Sequence, residues 1–177
     1  MILGAVLAGG RSTRFGTDKA LAELGGRTLL ARAVDALAGQ CEAVVVAGRQ
    51  EAPAPTLPDW PRPDMGPLGG IAAALHHARD AGYDEVLTCS VDCVDLHDDL
   101  AMQLRPAPAY CESQPVIGLW PASASAALDA LLASDGRHSM RAFAEAIGAR
   151  PVRFERIPAN INTPADLSAA EERSHGL

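Results

Sequence analysis

Residues 2–20 read "ILGAVLAGGRSTRFGTDKA", and this stretch decides the fold. Ile2 to Leu7 is a short apolar run that ends in adjacent glycines, as expected of a buried parallel strand followed by a tight turn. Beyond it, three cations fall within nine residues: Arg11, Arg14 and Lys19. Gly9 and Gly10 let the backbone approach a partner closely. Cations in the same loop point to an anionic partner.

Working outward, strands alternate with helices. "TLLARAVDALAGQ", 28–40, puts Leu29, Leu30, Ala33, Val34 and Leu37 on one helical face and closes with Gly39. A β-branched strand follows at 43–48. The next segment carries six prolines between residues 53 and 67, which excludes regular structure and reads as an active-site loop or a surface excursion. A helix is predicted at 68–82, a strand at 85–92 running into acidic residues, and a short helix at 97–104. Residues 109–121 read as two strands broken at Gln114–Pro115. Helices are predicted at 123–133 and at 139–147, the latter capped by Ser139. A strand at 150–157 precedes a last helix at 163–174, with Thr163 as N-cap and Pro164 in its first turn.

This order implies an α/β fold, a three-layer sandwich around a mostly parallel, Rossmann-like sheet, in one domain spanning 1–177. Ligands of such sheets bind beyond the carboxyl ends of the strands. The glycine loop, the proline-rich loop and Asp92 all fall at such ends.

Composition narrows the function. With 15 basic and 22 acidic residues, the net charge of −7 argues against general nucleic-acid binding. A local anion site remains open to it, because a few placed cations and backbone N–H groups suffice. Cys41, Cys89, Cys93 and Cys111 match no paired zinc spacing and read as reduced thiols of a cytoplasmic protein. No stretch reaches the roughly 18 apolar residues of a membrane span, so no membrane partner is expected.

The glycine loop is neither a P-loop nor a dinucleotide fingerprint. Five residues separate Gly10 from Gly16, Lys19 does not follow Gly16 directly, and "GGRSTRFG" lacks the G-x-G-x-x-G register. "LAGGRSTRFGTDKA" instead resembles the opening motif of the nucleotidyltransferases that include the molybdenum cofactor guanylyltransferases. "GPLGGI" at 66–71, "SVDCVDLHDDL" at 90–100 and "NINTPADL" at 160–167 resemble that family's later motifs, in the same order.

The resemblance implies transfer of GMP from GTP to the terminal phosphate of molybdenum-bound molybdopterin. Molybdoenzymes or their chaperones would receive the product. It implies that Leu7, Ala8, Gly9 and Gly10 line the guanosine, and that Arg14 and Lys19 neutralise charge on the phosphates. Asp92 would hold Mg²⁺, and Asp59 and Asp64 stand in the proline-rich loop where a nucleotide-contacting aspartate is expected. Asn160 and Asn162 would meet the pterin phosphate or the metal sphere. Asp95, which the resemblance does not assign, is a candidate second carboxylate.

The chain departs from the family pattern at three places. Ala47–Gly48 stands where an asparagine is usual, Val94 where a proline is usual, and Gln114 where a histidine is usual. A cytidylyltransferase of the same cofactor stays open as an alternative, although that branch tends to "LAAG" where this chain has Gly9–Gly10. So does a non-catalytic protein that binds a nucleotide or pterin.

Overall fold

The computed structural model describes residues 1–9 and 18–175. In chain order the strands and helices are β1 (Ile2–Leu7), β2 (Glu23–Leu24), β3 (Arg27–Thr28), α1 (Leu29–Ala38), β4 (Ala43–Ala47), β5 (Thr56–Leu57), α2 (Pro67–Ala81), β6 (Glu85–Ser90), β7 (Cys93–Val94), α3 (Leu100–Leu104), β8 (Ala109–Cys111), β9 (Gln114–Pro121), α4 (Ser125–Ala133), α5 (Met140–Ile147), β10 (Arg150–Val152), β11 (Ala159–Asn160) and α6 (Pro164–His175).

A seven-stranded sheet runs in the order β10-β8-β9-β6-β1-β4-β5. Only β9 opposes the others, pairing antiparallel with both β6 and β8. β1 sits between β4 and β6 and is parallel to both. The chain therefore leaves β1 toward β4 through α1, then crosses back through α2 to reach β6. The crossovers reverse direction at β1, which makes its C-terminal end a topological switch point, where open α/β sheets form their ligand crevice.

The alternation within β1 sorts side chains into two cores. Ile2, Val6 and Ala8 join α1 and α3, with Leu30, Leu37, Leu100 and Leu104 buried against them. Leu3, Ala5 and Leu7 face α2, α4 and α5, where Ile71, Leu75 and Phe143 are fully buried. Each buried Leu, Ile or Phe contributes about 1.5–3 kcal/mol. With so few aromatics, small residues bring α2 close: Gly69 and Gly70 sit where a Cβ would meet Asp59 and Leu7. Trp120 is the largest buried side chain; its Nε1 donates to Thr88 Oγ1 at 3.0 Å.

The helical face expected from Leu29, Leu30, Ala33, Val34 and Leu37 is the buried face of α1. Ser139 caps α5 by accepting from Ala142 N at 3.1 Å, and Thr163 Oγ1 accepts from Asp166 N at 3.1 Å at the start of α6.

Several boundaries differ from the sequence reading: the helix expected over 97–104 begins at Leu100, and the strand expected over 85–92 ends at Ser90. The chain reverses at Glu112–Ser113, so Gln114–Pro115 opens β9 instead of breaking it. Pro115 is tolerated because β6 pairs only with Gly118 to Pro121 and the β8 register shifts between Gly118 and Gln114, so neither neighbour pairs with residue 115. The strand expected over 150–157 keeps only Arg150–Val152, paired to β8 at the sheet edge. Within the proline-rich loop, Thr56–Leu57 pairs with β4 as a short edge strand, since the segment between Pro55 and Pro58 keeps its own N–H groups.

A third, smaller core joins distant parts of the chain. Leu24 and Leu29, beside the β2–β3 hairpin, pack with Val94, Ile161 and Ala170. This fixes the end of the glycine loop against the segment after β6 and against the start of α6.

Candidate active site

A cleft of about 690 Å³ opens at the C-terminal ends of β1, β4 and β6. Leu7 and Gly9 form its floor with Ala47. The proline-rich loop contributes Asp59 and Asp64, and the first turn of α2 contributes Gly66, Pro67 and Gly70. Ser90, Asp92 and Cys93 follow β6. Ser113 to Val116 and Asn160 close the remaining side. The volume is that of a nucleotide-sized site. A helix N-terminus on its wall favours an anion.

Lys19 and Asp92 meet beside this cleft. Lys19 Nζ lies 2.5 Å from Asp92 Oδ1, with the two side chains 14% and 32% exposed. Lys19 opens a 3-10 turn over Lys19–Leu21 whose Ala20 is buried, so its backbone is anchored. The Asp92 backbone is anchored too: its carbonyl accepts from Ile161 N at 2.8 Å, and its N–H donates to Ser90 Oγ at 3.2 Å. Just before Lys19, Asp18 Oδ1 accepts from Arg49 Nη1 at 2.9 Å, tying the far end of the glycine loop to the segment after β4.

Of the residues expected from the sequence, Leu7, Gly9, Asp59, Asp64, Asp92 and Asn160 line the cleft. Ala8 is buried behind it, its N–H donating to Ala47 O at 2.9 Å. Asn162 is exposed and is not a lining residue; its N–H donates to Asp166 Oδ2 at 2.9 Å, closing the cap of α6. Gly10 and Arg14 lie outside the described residues, as does Arg11. Asp95 lines a separate groove of about 350 Å³ with Arg27, Arg32 and Asp98.

The structure accounts for each departure from the family pattern. Gly48 has φ +88°, and a Cβ there would meet Gly9 Cα at 2.6 Å. The left-handed backbone and the close approach of the two loops both require glycine at 48. Val94 is buried against Leu24, Leu29 and Ile161 and pairs with Ala159 in a two-stranded ribbon. Gln114 is buried; its Nε2 donates to Pro158 O, and its Oε1 accepts from Cys93 Sγ at 2.9 Å. It thereby ties the start of β9 to the β7–β11 ribbon that carries Cys93 and Asn160.

The sequence reading did not single out Gln114, Cys93, Ser90 or Ser113 as cleft residues. Ser90 and Cys93 lie within the motif at 90–100 and Gln114 stands at the family's histidine, but their place in the cleft comes from chain reversals after β6 and β8, which also bring Ser113 there. Arg49 is likewise invisible until its partner Asp18 is placed. Burial holds the Cys93 thiol at about 12, so it lines the cleft as a neutral S–H donor.

Asp59 is half-buried. Burial pushes its carboxyl up from the ordinary value, and Asp64 adds to this, against the Met65 N–H that it accepts. The folded protein therefore holds this proton to a higher pH than the unfolded chain, so stability falls as pH rises through that interval. Asp59→Asn removes the penalty. The variant is expected to melt above the wild type at pH 7, with the gain closing as pH falls below the ordinary aspartate value of 3.8. Thermal unfolding across pH checks this; a variant that melts lower at pH 7 overturns it.

Among the described residues, no helix is long and apolar enough to cross a membrane. None of the described His, Cys, Asp or Glu residues gather in threes to hold a metal.

Comparison with known proteins places this geometry. Residues 4–153 match the MobA-like NTP transferase domain. The chain is 39% identical to a molybdenum cofactor guanylyltransferase of Acidiphilium cryptum (strain JF-5), over 94% of this chain and 92% of that protein. It is 38% identical to one from Rhodobacter capsulatus, over 97% and 96%. Its fold is similar to the crystal structure of molybdopterin-guanine dinucleotide biosynthesis protein A from Archaeoglobus fulgidus, with a TM-score of 0.77, 20% identity, and 99% and 100% of the two chains covered. The chain belongs to the MobA-like NTP transferase family and is a nucleotidyltransferase.

Proposed function

We propose that this chain transfers GMP from GTP to the terminal phosphate of molybdopterin carrying molybdenum, releasing pyrophosphate. The observation that carries this reading is the meeting of Lys19 and Asp92 beside a nucleotide-sized cleft at the switch point of the sheet. The named relatives support the choice of substrates.

In the reaction, an oxygen of the acceptor phosphate attacks the α-phosphorus of GTP in line. The bond from that phosphorus to the bridging oxygen breaks, and pyrophosphate leaves with the electron pair. No covalent enzyme intermediate is required, so positioning and charge neutralisation carry the catalysis. Leu7 and Gly9 flank the guanosine, with Ala8 buried behind them. Asp59 and Asp64 reach the nucleotide from the proline-rich loop. Lys19 neutralises charge that builds on the α-phosphate and the leaving pyrophosphate. Asn160, paired with Cys93 beside Asp92, meets the acceptor.

The donor set suits Mg²⁺. That ion takes one or two carboxylates together with substrate phosphates. Asp92 presents a carboxylate beside the oxygen-bearing Ser90 and Asn160 on the same wall. When bound, Mg²⁺ would neutralise developing phosphate charge. Asp92 would hold it; Asp95 lines the other groove and not this cleft.

Pyrophosphate release with GTP, CTP, ATP and UTP tests the reading, with molybdopterin as acceptor. GTP is expected to be preferred. Preference for CTP overturns the guanylyl assignment in favour of a cytidylyltransferase. Binding of GTP without pyrophosphate release leaves a nucleotide-binding protein. Gly9→Ala, which recreates "LAAG", probes base choice. A Cβ at residue 9 would sit 3.4 Å from Gly48 Cα, an ordinary contact, and the Gly9 backbone is not left-handed. The substitution thus changes the cleft floor without straining the chain.

A further inference from the structure

We propose that Lys19 serves as the resident counter-ion of Asp92 in the free protein, so that divalent metal and nucleotide enter as one unit. The proposal rests on the transfer reading for the identity of the nucleotide; its geometry stands on the ion pair itself.

Asp92 is the carboxylate offered to a metal, yet in the free protein an ammonium already lies 2.5 Å from its Oδ1. Both groups are partly withdrawn from water, where an ion pair is stronger than on an open surface. A divalent ion arriving alone must displace that ammonium from Asp92 and meet its positive charge at close range. A triphosphate removes the difficulty. Its oxygens offer Lys19 new acceptors while the metal takes Asp92, so every charge stays paired throughout the exchange. The backbones at 19 and 92 are both anchored, by the 3-10 turn with buried Ala20 and by Ile161 N donating to Asp92 O. Side-chain rotation alone accomplishes the exchange.

Two consequences follow. Metal affinity of the free protein is suppressed by Lys19, although Lys19 is no metal ligand. By linkage, metal and nucleotide each strengthen the other's binding by the same factor, and part of that coupling passes through Lys19.

The test measures Mn²⁺ binding to nucleotide-free protein by electron paramagnetic resonance, a readout independent of turnover. Mn²⁺ suits oxygen ligands as Mg²⁺ does. Lys19→Met is expected to bind Mn²⁺ tighter than wild type, on the order of tenfold or more. Lys19→Met combined with Asp92→Asn is expected to lose that gain. Lys19→Gln, which keeps a polar group, serves the same comparison should the methionine variant misfold. Equal Mn²⁺ affinity in wild type and a folded Lys19 variant overturns the proposal, as does a gain that survives Asp92→Asn. Pyrophosphate release by the wild type is scored separately. Turnover with unchanged Mn²⁺ affinity in the variant sinks the counter-ion and spares the transfer reading. Tighter Mn²⁺ binding without wild-type turnover does the reverse.

Discussion

Asp92→Asn is expected to abolish Mg²⁺-dependent transfer while metal-free nucleotide binding persists. The amide keeps the shape of the side chain and leaves the main-chain anchors untouched, since Ile161 N and Ser90 Oγ bond to the backbone of residue 92. What is lost is one negative charge on the cleft wall. An amide oxygen is a poor substitute where a hard divalent cation must be held against phosphate oxygens. A metal supplies several kcal/mol of transition-state stabilisation, so turnover should fall on the order of 10³-fold or more. The measurement is pyrophosphate release against Mg²⁺ concentration, beside nucleotide affinity without metal. A variant with the wild-type rate and Mg²⁺ dependence places the metal elsewhere. Asp64 then becomes the next candidate, because it lines the same cleft, whereas Asp95 lines another groove.

The fold was legible because its determinants are local. The apolar run at Ile2–Leu7 and the helical face of Leu29 to Leu37 each carry their periodicity within a few residues, and both are buried as that pattern requires. The ends of elements were less legible. Pro115 reads as a strand breaker until β6 is seen to stop pairing at Gly118, and 150–157 reads as a full strand although β8 offers it only three partners. Those limits are set by neighbouring strands, which local sequence does not contain.

The site divides in the same way. Gly9, Asp59 and Asp92 were legible because they follow strands or sit in a motif with fixed spacing. Gln114 was not. Its meaning lies in two partners, Pro158 and Cys93, which are 44 and 21 residues away. The same holds for Gly48, whose need for glycine comes from the loop after β1, where Gly9 presses against it. Val94 is explained only by a core that brings it Leu24 and Leu29 from one distant region of the chain and Ile161 and Ala170 from another.

Lys19→Ala is expected to lower turnover on the order of 10²–10³-fold, the range for removing one electrostatic donor, equivalent to about 2.7–4 kcal/mol. The structure refines the physical account of this loss. The Lys19 side chain is mostly covered, at 14% exposure, and it is paired with Asp92. Removing it therefore has two effects on the free protein. Asp92 loses its counter-ion but is 32% exposed and can be hydrated, which limits the loss of stability. The metal, at the same time, meets less competition at Asp92. Tighter metal binding should not restore the rate, because Lys19 acts on charge that moves from the α-phosphate to the leaving pyrophosphate, and that charge appears only as the bond breaks. The loss should fall mainly on kcat, with a smaller rise in KM for GTP because Lys19 also donates to the triphosphate oxygens in the ground state. Steady-state kinetics at saturating Mg²⁺, with thermal unfolding of the same preparations, separate the effects. A folded Lys19→Ala protein with the wild-type kcat removes Lys19 from the catalytic machinery; a loss confined to KM reduces it to a residue that binds the triphosphate equally in the ground and transition states.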